Sequence, residues 1–168
     1  MLALMCCPVL KKCSFTTLCM IVYLGVFIAS VIVGLEQDGT LLKVQDSTLV
    51  QFGSNRPTLV RKGEVWRLIV AAVLHIDFNH LLGNFVSTII LLSHIEYTIG
   101  PLKSFILYLV SAIGANIFTD LLTPDTTKLG ASTSLYGGLG FSIGYFIINY
   151  RGINVIGPVM KCQFICIT

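Results

Sequence analysis

The charged positions of this chain come in clusters, and the stretches between them stay uncharged over about the thickness of a membrane. Cys13 to Leu35 contains no Asp, Glu, Lys or Arg, and neither does Phe78 to Ile95 or Leu129 to Tyr150. Leu102 to Leu122 is interrupted only by Lys103 near its start and Asp120 near its end. A helix rises about 1.5 Å per residue, so about 20 apolar residues cross the roughly 30 Å hydrocarbon core. The pattern therefore predicts transmembrane helices over 13–35, 78–97, 102–122 and 130–150. A fifth apolar stretch, 153–168, is shorter and contains Lys161; it reads as the truncated start of another span. The predicted fold class is an all-α membrane protein, a bundle of four transmembrane helices plus an incomplete fifth, in one domain over 13–168.

Residues 1–12 precede the first span. Lys11 and Lys12 flank it and Arg151 follows the fourth span; by the cytoplasmic excess of basic residues, this predicts a cytoplasmic N-terminus. The first span is too long for the apolar core of a signal peptide, and no A-x-A-like cleavage site follows it. Residues 36–77 then form a long non-cytoplasmic loop. Asp38-Gly39 and Gly53-Ser54-Asn55 mark turns in it, and the amphipathic stretch from Glu64 to Leu74 predicts an interfacial helix at the membrane surface.

Composition agrees. Of the 168 residues 55% are hydrophobic and 11% charged, against about 25% charged in soluble domains, and the mean hydropathy is +0.86. That excludes a water-soluble globule, and disorder with it, since disorder needs low hydrophobicity and high charge. The net charge of +3 is spread out, with no basic stripe interleaved with aromatics, so no nucleic acid is expected as a partner. The cysteines sit towards the ends, Cys6, Cys7, Cys13 and Cys19, then Cys162 and Cys166. Without a CxxC pair they predict neither a disulfide framework nor a metal site. Cys6, Cys7 and Cys13 stand beside the first span as inert thiols, the simpler reading, or as S-acylation sites. No cofactor is implied.

Polar groups inside membrane helices are costly and point to function by default. His75, His80 and Asn84 form one cluster, with His80 and Asn84 one turn apart on a single face. Gly130-Ala131-Ser132-Thr133 forms a second at the start of the fourth span, and Tyr136, Gly140 and Gly144 follow Ser132 on one face. With a cytoplasmic N-terminus, the second and fourth spans both enter from the non-cytoplasmic side. His80 and Ser132 then lie at similar shallow depth, within reach of water. A serine opening a helix offers a hydroxyl nucleophile and an unpaired amide donor for an oxyanion. His94 lies at the opposite end of its span. Each feature alone has an ordinary structural reading, such as a serine bonded to its own helix or a Gly-x-x-x-Gly packing face.

In combination, the motifs from about Gly63 to Tyr150 resemble the rhomboid family of intramembrane serine proteases. Gly63-Glu64-Val65-Trp66-Arg67 looks like the family's tryptophan–arginine motif in the first loop. LHIDFNHLLGN, from Leu74 to Asn84, resembles its H-x-x-x-N with a preceding histidine. Glu96 and Gly100 stand where the family has E…G, and LGASTSLYGGLG, from Leu129 to Gly140, resembles its nucleophile motif. The resemblance implies Ser132 as nucleophile, following Gly130, and His80 and Asn84 as oxyanion-hole donors with the Ser132 N–H. It implies that Tyr136 packs beside the catalytic base and that His75 supports the second-span motif. Trp66, Arg67 and Glu96 would brace the loop structure, and Gly140 and Gly144 would let the fourth helix lie tightly against a sixth.

Two departures bear on activity. Thr133 stands where the family usually has glycine, and the family's catalytic histidine, on its sixth helix, has no counterpart among His75, His80 and His94. The expected function is a rhomboid-type serine endopeptidase that cleaves single-span membrane proteins in the lipid bilayer, this chain being a truncated and inactive form. The alternative is a catalytically dead rhomboid-like protein that binds transmembrane clients. A small transporter subunit would want charged residues in mid-span, and spans two to four have none there.

Overall fold

The computed structural model describes residues 14–37 and 39–153. The predictions for 1–12 and for a fifth span over 153–168 lie outside them, apart from Ile153 itself, which ends a helix. Four long helices form the bundle: α1 (Phe15–Val33), α5 (Phe78–Ile99), α6 (Pro101–Leu122) and α7 (Ser132–Ile153). Between α1 and α5 lie three short helices, α2 (Asp46–Phe52), α3 (Pro57–Val60) and α4 (Arg67–Val70), and a 3-10 turn over Ala71–Val73. Among the described residues α1, α5 and α6 are long and apolar enough to cross a membrane. The α7 helix matches α6 in length, at 22 residues each, but its glycines and serines dilute its apolar character. Three spans rather than four are therefore carried by hydropathy.

The bundle turns its polar stripe inward. The buried positions of α6 are Ser104, Tyr108, Ala112 and Asn116, four apart on one face, while Leu102, Phe105, Ile106, Val110 and Phe118 are exposed. On α1, Thr16, Cys19, Tyr23, Phe27 and Ser30 face inward, and Leu18, Ile21, Leu24 and Ile28 face out. Lipid tails are as apolar as leucine, so outward leucine loses nothing, while small and polar side chains allow close approach and bond across helices. Tyr23 and Tyr108 join their hydroxyls at 2.7 Å. Tyr108 Oη donates to the Ala72 carbonyl at 3.0 Å, and Asn116 Nδ2 to that of Leu68 at 2.8 Å.

The loop 36–77, where the sequence predicts an interfacial helix, packs against the bundle through one side of that stretch. Arg67, Leu68, Ala71, Ala72 and Leu74 are buried, and only Val65, Trp66 and Ile69 of this stretch keep an exposed apolar face. This packing has a physical cause. The bonds from Tyr108 and Asn116 satisfy carbonyls of the short helical turns, which pulls the chain down onto α6. Arg67 completes the loop: Nη1 donates to the carbonyls of Val50 at 2.8 Å and Ser54 at 3.0 Å, Nε donates to Glu64 at 2.7 Å, and the guanidinium lies 4.7 Å from the centre of the Trp66 ring.

Candidate active site

Two helix starts meet at the loop end of the bundle. Asp77 caps α5, its carboxylate accepting the His80 N–H at 2.7 Å. One turn on, Asn84 is buried, and its Nδ2 donates to the His80 carbonyl at 3.1 Å, which fixes the amide's orientation. The α7 helix opens at Ser132. The Ala131 carbonyl accepts from the N–H groups of Ser134 and Leu135, both at 3.0 Å. Ala131 has no side-chain oxygen to cap the first amides, so Ser132 and Thr133 present the N–H groups that a helix start leaves without an intrahelical partner.

Gly130 brings the two sides together. Its φ of +115° is in the left-handed region, and its N–H donates to the Ala71 carbonyl at 2.8 Å. A Cβ at this position would lie 2.8 Å from both Cε1 and Nε2 of His80 and 3.6 Å from Ser132 Oγ. The bare face of the glycine is thus where the imidazole edge and the serine hydroxyl converge. Thr133 is accommodated beside it, its hydroxyl donating to the Gly130 carbonyl at 3.2 Å. Below, a cleft of about 290 Å³ between α5 and α7 is lined by Ser132, Asn84, Ser87, Leu91, Leu135 and Tyr136, among others. Tyr136 is 73% exposed there.

The other predicted residues fall in different places. His75 is buried behind His80, with ring centroids 5.4 Å apart, and against Tyr23 at 5.2 Å. Burial, and then the neighbouring His80, push its pKa down to about 4. His94 is buried towards the other end of α5. Glu96 corrects the expectation that it braces the loop. Its carboxylate accepts from the Phe15 N–H, the Thr16 N–H and the Thr16 hydroxyl, at 2.9, 2.9 and 2.7 Å, capping α1 at the end of the bundle opposite Ser132. An anionic group at a helix start meets unpaired donors and the positive end of the macrodipole, which is why a glutamate late in one span can serve the beginning of another.

The sixth helix that Gly140 and Gly144 are expected to meet is not among the described elements, and an added Cβ at either would meet nothing within 4 Å, so they make no close contact among the described residues. The glycines that do are Gly137, whose Cβ would lie 2.0 Å from Ser111 Oγ on α6, and Gly138, 2.7 Å from Ile95 Cδ1 on α5. Sequence reasoning passed over Gly137, Gly138 and the inward stripe of α6; the spacing of Ser104, Tyr108, Ala112 and Asn116 was the available signal. Among the described residues no group of three His, Cys, Asp or Glu side chains is placed to hold a metal.

A serine at a helix start, open amides and a histidine–asparagine pair lie at one end of a bundle whose apolar residues face outward, and the class is that of a multi-pass integral membrane protein. The family follows from comparison. A family model described as the rhomboid domain matches residues 62–168, and the chain belongs to the rhomboid family. It is 29% identical over 162 residues to rhomboid-like protease 2 of Toxoplasma gondii, covering 96% of this chain and 57% of that protein. It is 38% identical over 96 residues to rhomboid-like protease 1 of the same organism, covering 56% of this chain and 33% of the relative. To the rhomboid protease GluP of Bacillus subtilis it is 33% identical over 115 residues, covering 65% of this chain and 22% of that protein. The chain thus spans well under two thirds of the length of these relatives.

Proposed function

We propose that this chain carries the nucleophile side of a rhomboid-type intramembrane serine endopeptidase. Ser132 Oγ attacks the scissile carbonyl of a single-span membrane substrate, its proton passing to a general base that none of the described residues supplies and from there to the leaving amine as the C–N bond breaks, and the developing oxyanion is held by the Ser132 N–H, His80 and Asn84. The α7 helix is the fourth membrane-crossing segment, and the N-terminus is cytoplasmic, so that Ser132 and His80 open to the non-cytoplasmic side where water supplies the hydrolysis. The observation that carries this reading is the convergence of His80 Nε2 and Ser132 Oγ on the bare face of Gly130, above a cleft that Asn84 lines.

A second reading, a non-cleaving rhomboid-like protein that binds transmembrane clients, has one observation in its favour. Among the described residues, no hydrogen bond joins Ser132 Oγ to an imidazole. A serine without a base is a weak nucleophile.

Labelling by a fluorophosphonate, read by intact mass on the full-length natural protein in detergent, separates the two. The protease reading expects one adduct on the wild type, none on Ser132→Ala, and labelling slowed by about 10²–10³-fold in His80→Ala or Asn84→Ala, the usual cost of an oxyanion-hole donor. A folded wild type that takes no label supports the binding reading.

A further inference from the structure

The connection 123–131 leads from α6 to α7, and its path decides where Ser132 arrives. Lys128 is held on it twice. Its backbone pairs with that of Asn55 as an antiparallel bridge, N–H to carbonyl in both directions at 2.9 Å. Its ammonium donates to Asp120 Oδ1 at 2.9 Å and to the Thr123 carbonyl at 2.7 Å. The same Asp120 oxygen accepts from Asn55 Nδ2 at 2.9 Å. Asn55 is fully buried, and the Asp120 and Lys128 side chains are each only 13% exposed. The cluster is largely withdrawn from water, where charge-assisted bonds are stronger and an unpaired member costs most.

Two residues beyond Lys128, Gly130 makes its bond to Ala71, and Ser132 follows. Consecutive Cα atoms are 3.8 Å apart, so so short a stretch has little slack between the pinned lysine and the serine. We propose that Asp120, acting through Asn55 and Lys128, is a positioning residue for the nucleophile: its carboxylate clasps the 123–131 connection to the first loop and so sets Ser132 against His80 and Asn84. The proposal rests on the reading of Ser132 as nucleophile. Asp120 itself touches neither substrate nor reacting atoms. Without its carboxylate the Lys128 ammonium turns to water, the Asn55 amide is left unpaired inside, and the 55–128 bridge loosens.

The test uses the full chain in detergent, with Asp120→Ala and Lys128→Met compared with wild type by hydrogen–deuterium exchange and by the kinetics of fluorophosphonate labelling. Both variants should lose protection at 128–132 while α1 and α6 keep theirs. The maximal labelling rate should fall about 10- to 100-fold, the scale on which catalytic groups respond to misplacement by an ångström, with the half-saturating probe concentration unchanged. Unchanged protection at 128–132 overturns the proposal, as does a maximal rate within twofold of wild type. If Asp120→Ala melts the whole bundle, Lys128→Met, which keeps an apolar stem of similar length, decides by the same two criteria. A wild type that takes no label counts against the protease reading alone, and protection at 128–132 then decides whether the clasp holds the segment.

Discussion

Gly130 bears two constraints at once, a left-handed backbone and an imidazole in the space where a side chain would begin. Gly130→Ala must therefore either strain the backbone, at about 1–3 kcal/mol, or push His80 away from Ser132. The expected outcome is a lower melting temperature together with slower fluorophosphonate labelling; a variant that labels at the wild-type rate would mean that His80 is not needed where it stands. His75 sets a pH dependence of stability. Its imidazole titrates near 4 in the fold against 6.5 ordinarily, so between those values the unfolded chain binds more protons. Stability is complete above about pH 6.5 and declines as the pH falls towards 4, by an amount on the order of 3 kcal/mol. Thermal melts at pH 7 and pH 5 should show the decline in wild type and a flatter response in His75→Leu. The sequence named both residues, because glycine before a helix-starting serine and histidine before a span are local signals. It could not tell that one histidine would shield the other from water.

At the scale of helices, the contact between α6 and α7 depends on Gly137. A methyl at Gly137 would sit 2.0 Å from Ser111 Oγ and 2.3 Å from its Cβ, so a rotamer change alone does not relieve the clash and the helices must part. Gly137→Ala should cost about 1–3 kcal/mol, the range for overpacking a close contact. Gly140→Ala and Gly144→Ala, facing open space, should change stability by no more than about 0.5 kcal/mol. Denaturant titrations in mixed micelles measure all three, and an equal loss at Gly144 would mean that its face is covered after all. The periodicity that placed Ser132, Tyr136, Gly140 and Gly144 on one face was correct as geometry. Which face of α7 meets α6 depends on the rotation of one helix against another, and no spacing within a single helix encodes that. Glu96 shows the same limit: its place near the end of α5 is legible, but the donors it satisfies belong to residues 15 and 16.

For the molecule as a whole, the two ends of the bundle are chemically distinct. One end holds the start of α1 capped by Glu96, close to the start of α6. The other holds the folded loop, His80 and Ser132. A cytoplasmic N-terminus then makes a testable statement about sidedness. With the six native cysteines replaced by serine, Lys62→Cys should react with a membrane-impermeant maleimide from the non-cytoplasmic face. Lys103→Cys should react only after the membrane is opened; the reverse pattern would invert the topology.

The sequence by itself determined that the protein lives in a membrane and where its apolar segments lie, and it singled out a serine, a histidine and an asparagine that the fold brings to one end of the bundle. Uncharged length and one-turn spacing are local properties, and a bilayer acts on them directly. Only the tertiary structure decided that the first loop is part of the bundle, that Glu96 serves the opposite end from the site, and that Asn55, Asp120 and Lys128 meet around one carboxylate oxygen. Those three lie 65 and 8 residues apart in the pairs that bond. Buried polar groups must find partners wherever the fold brings donors and acceptors together, and for this clasp that place depends on how the helices and the first loop pack.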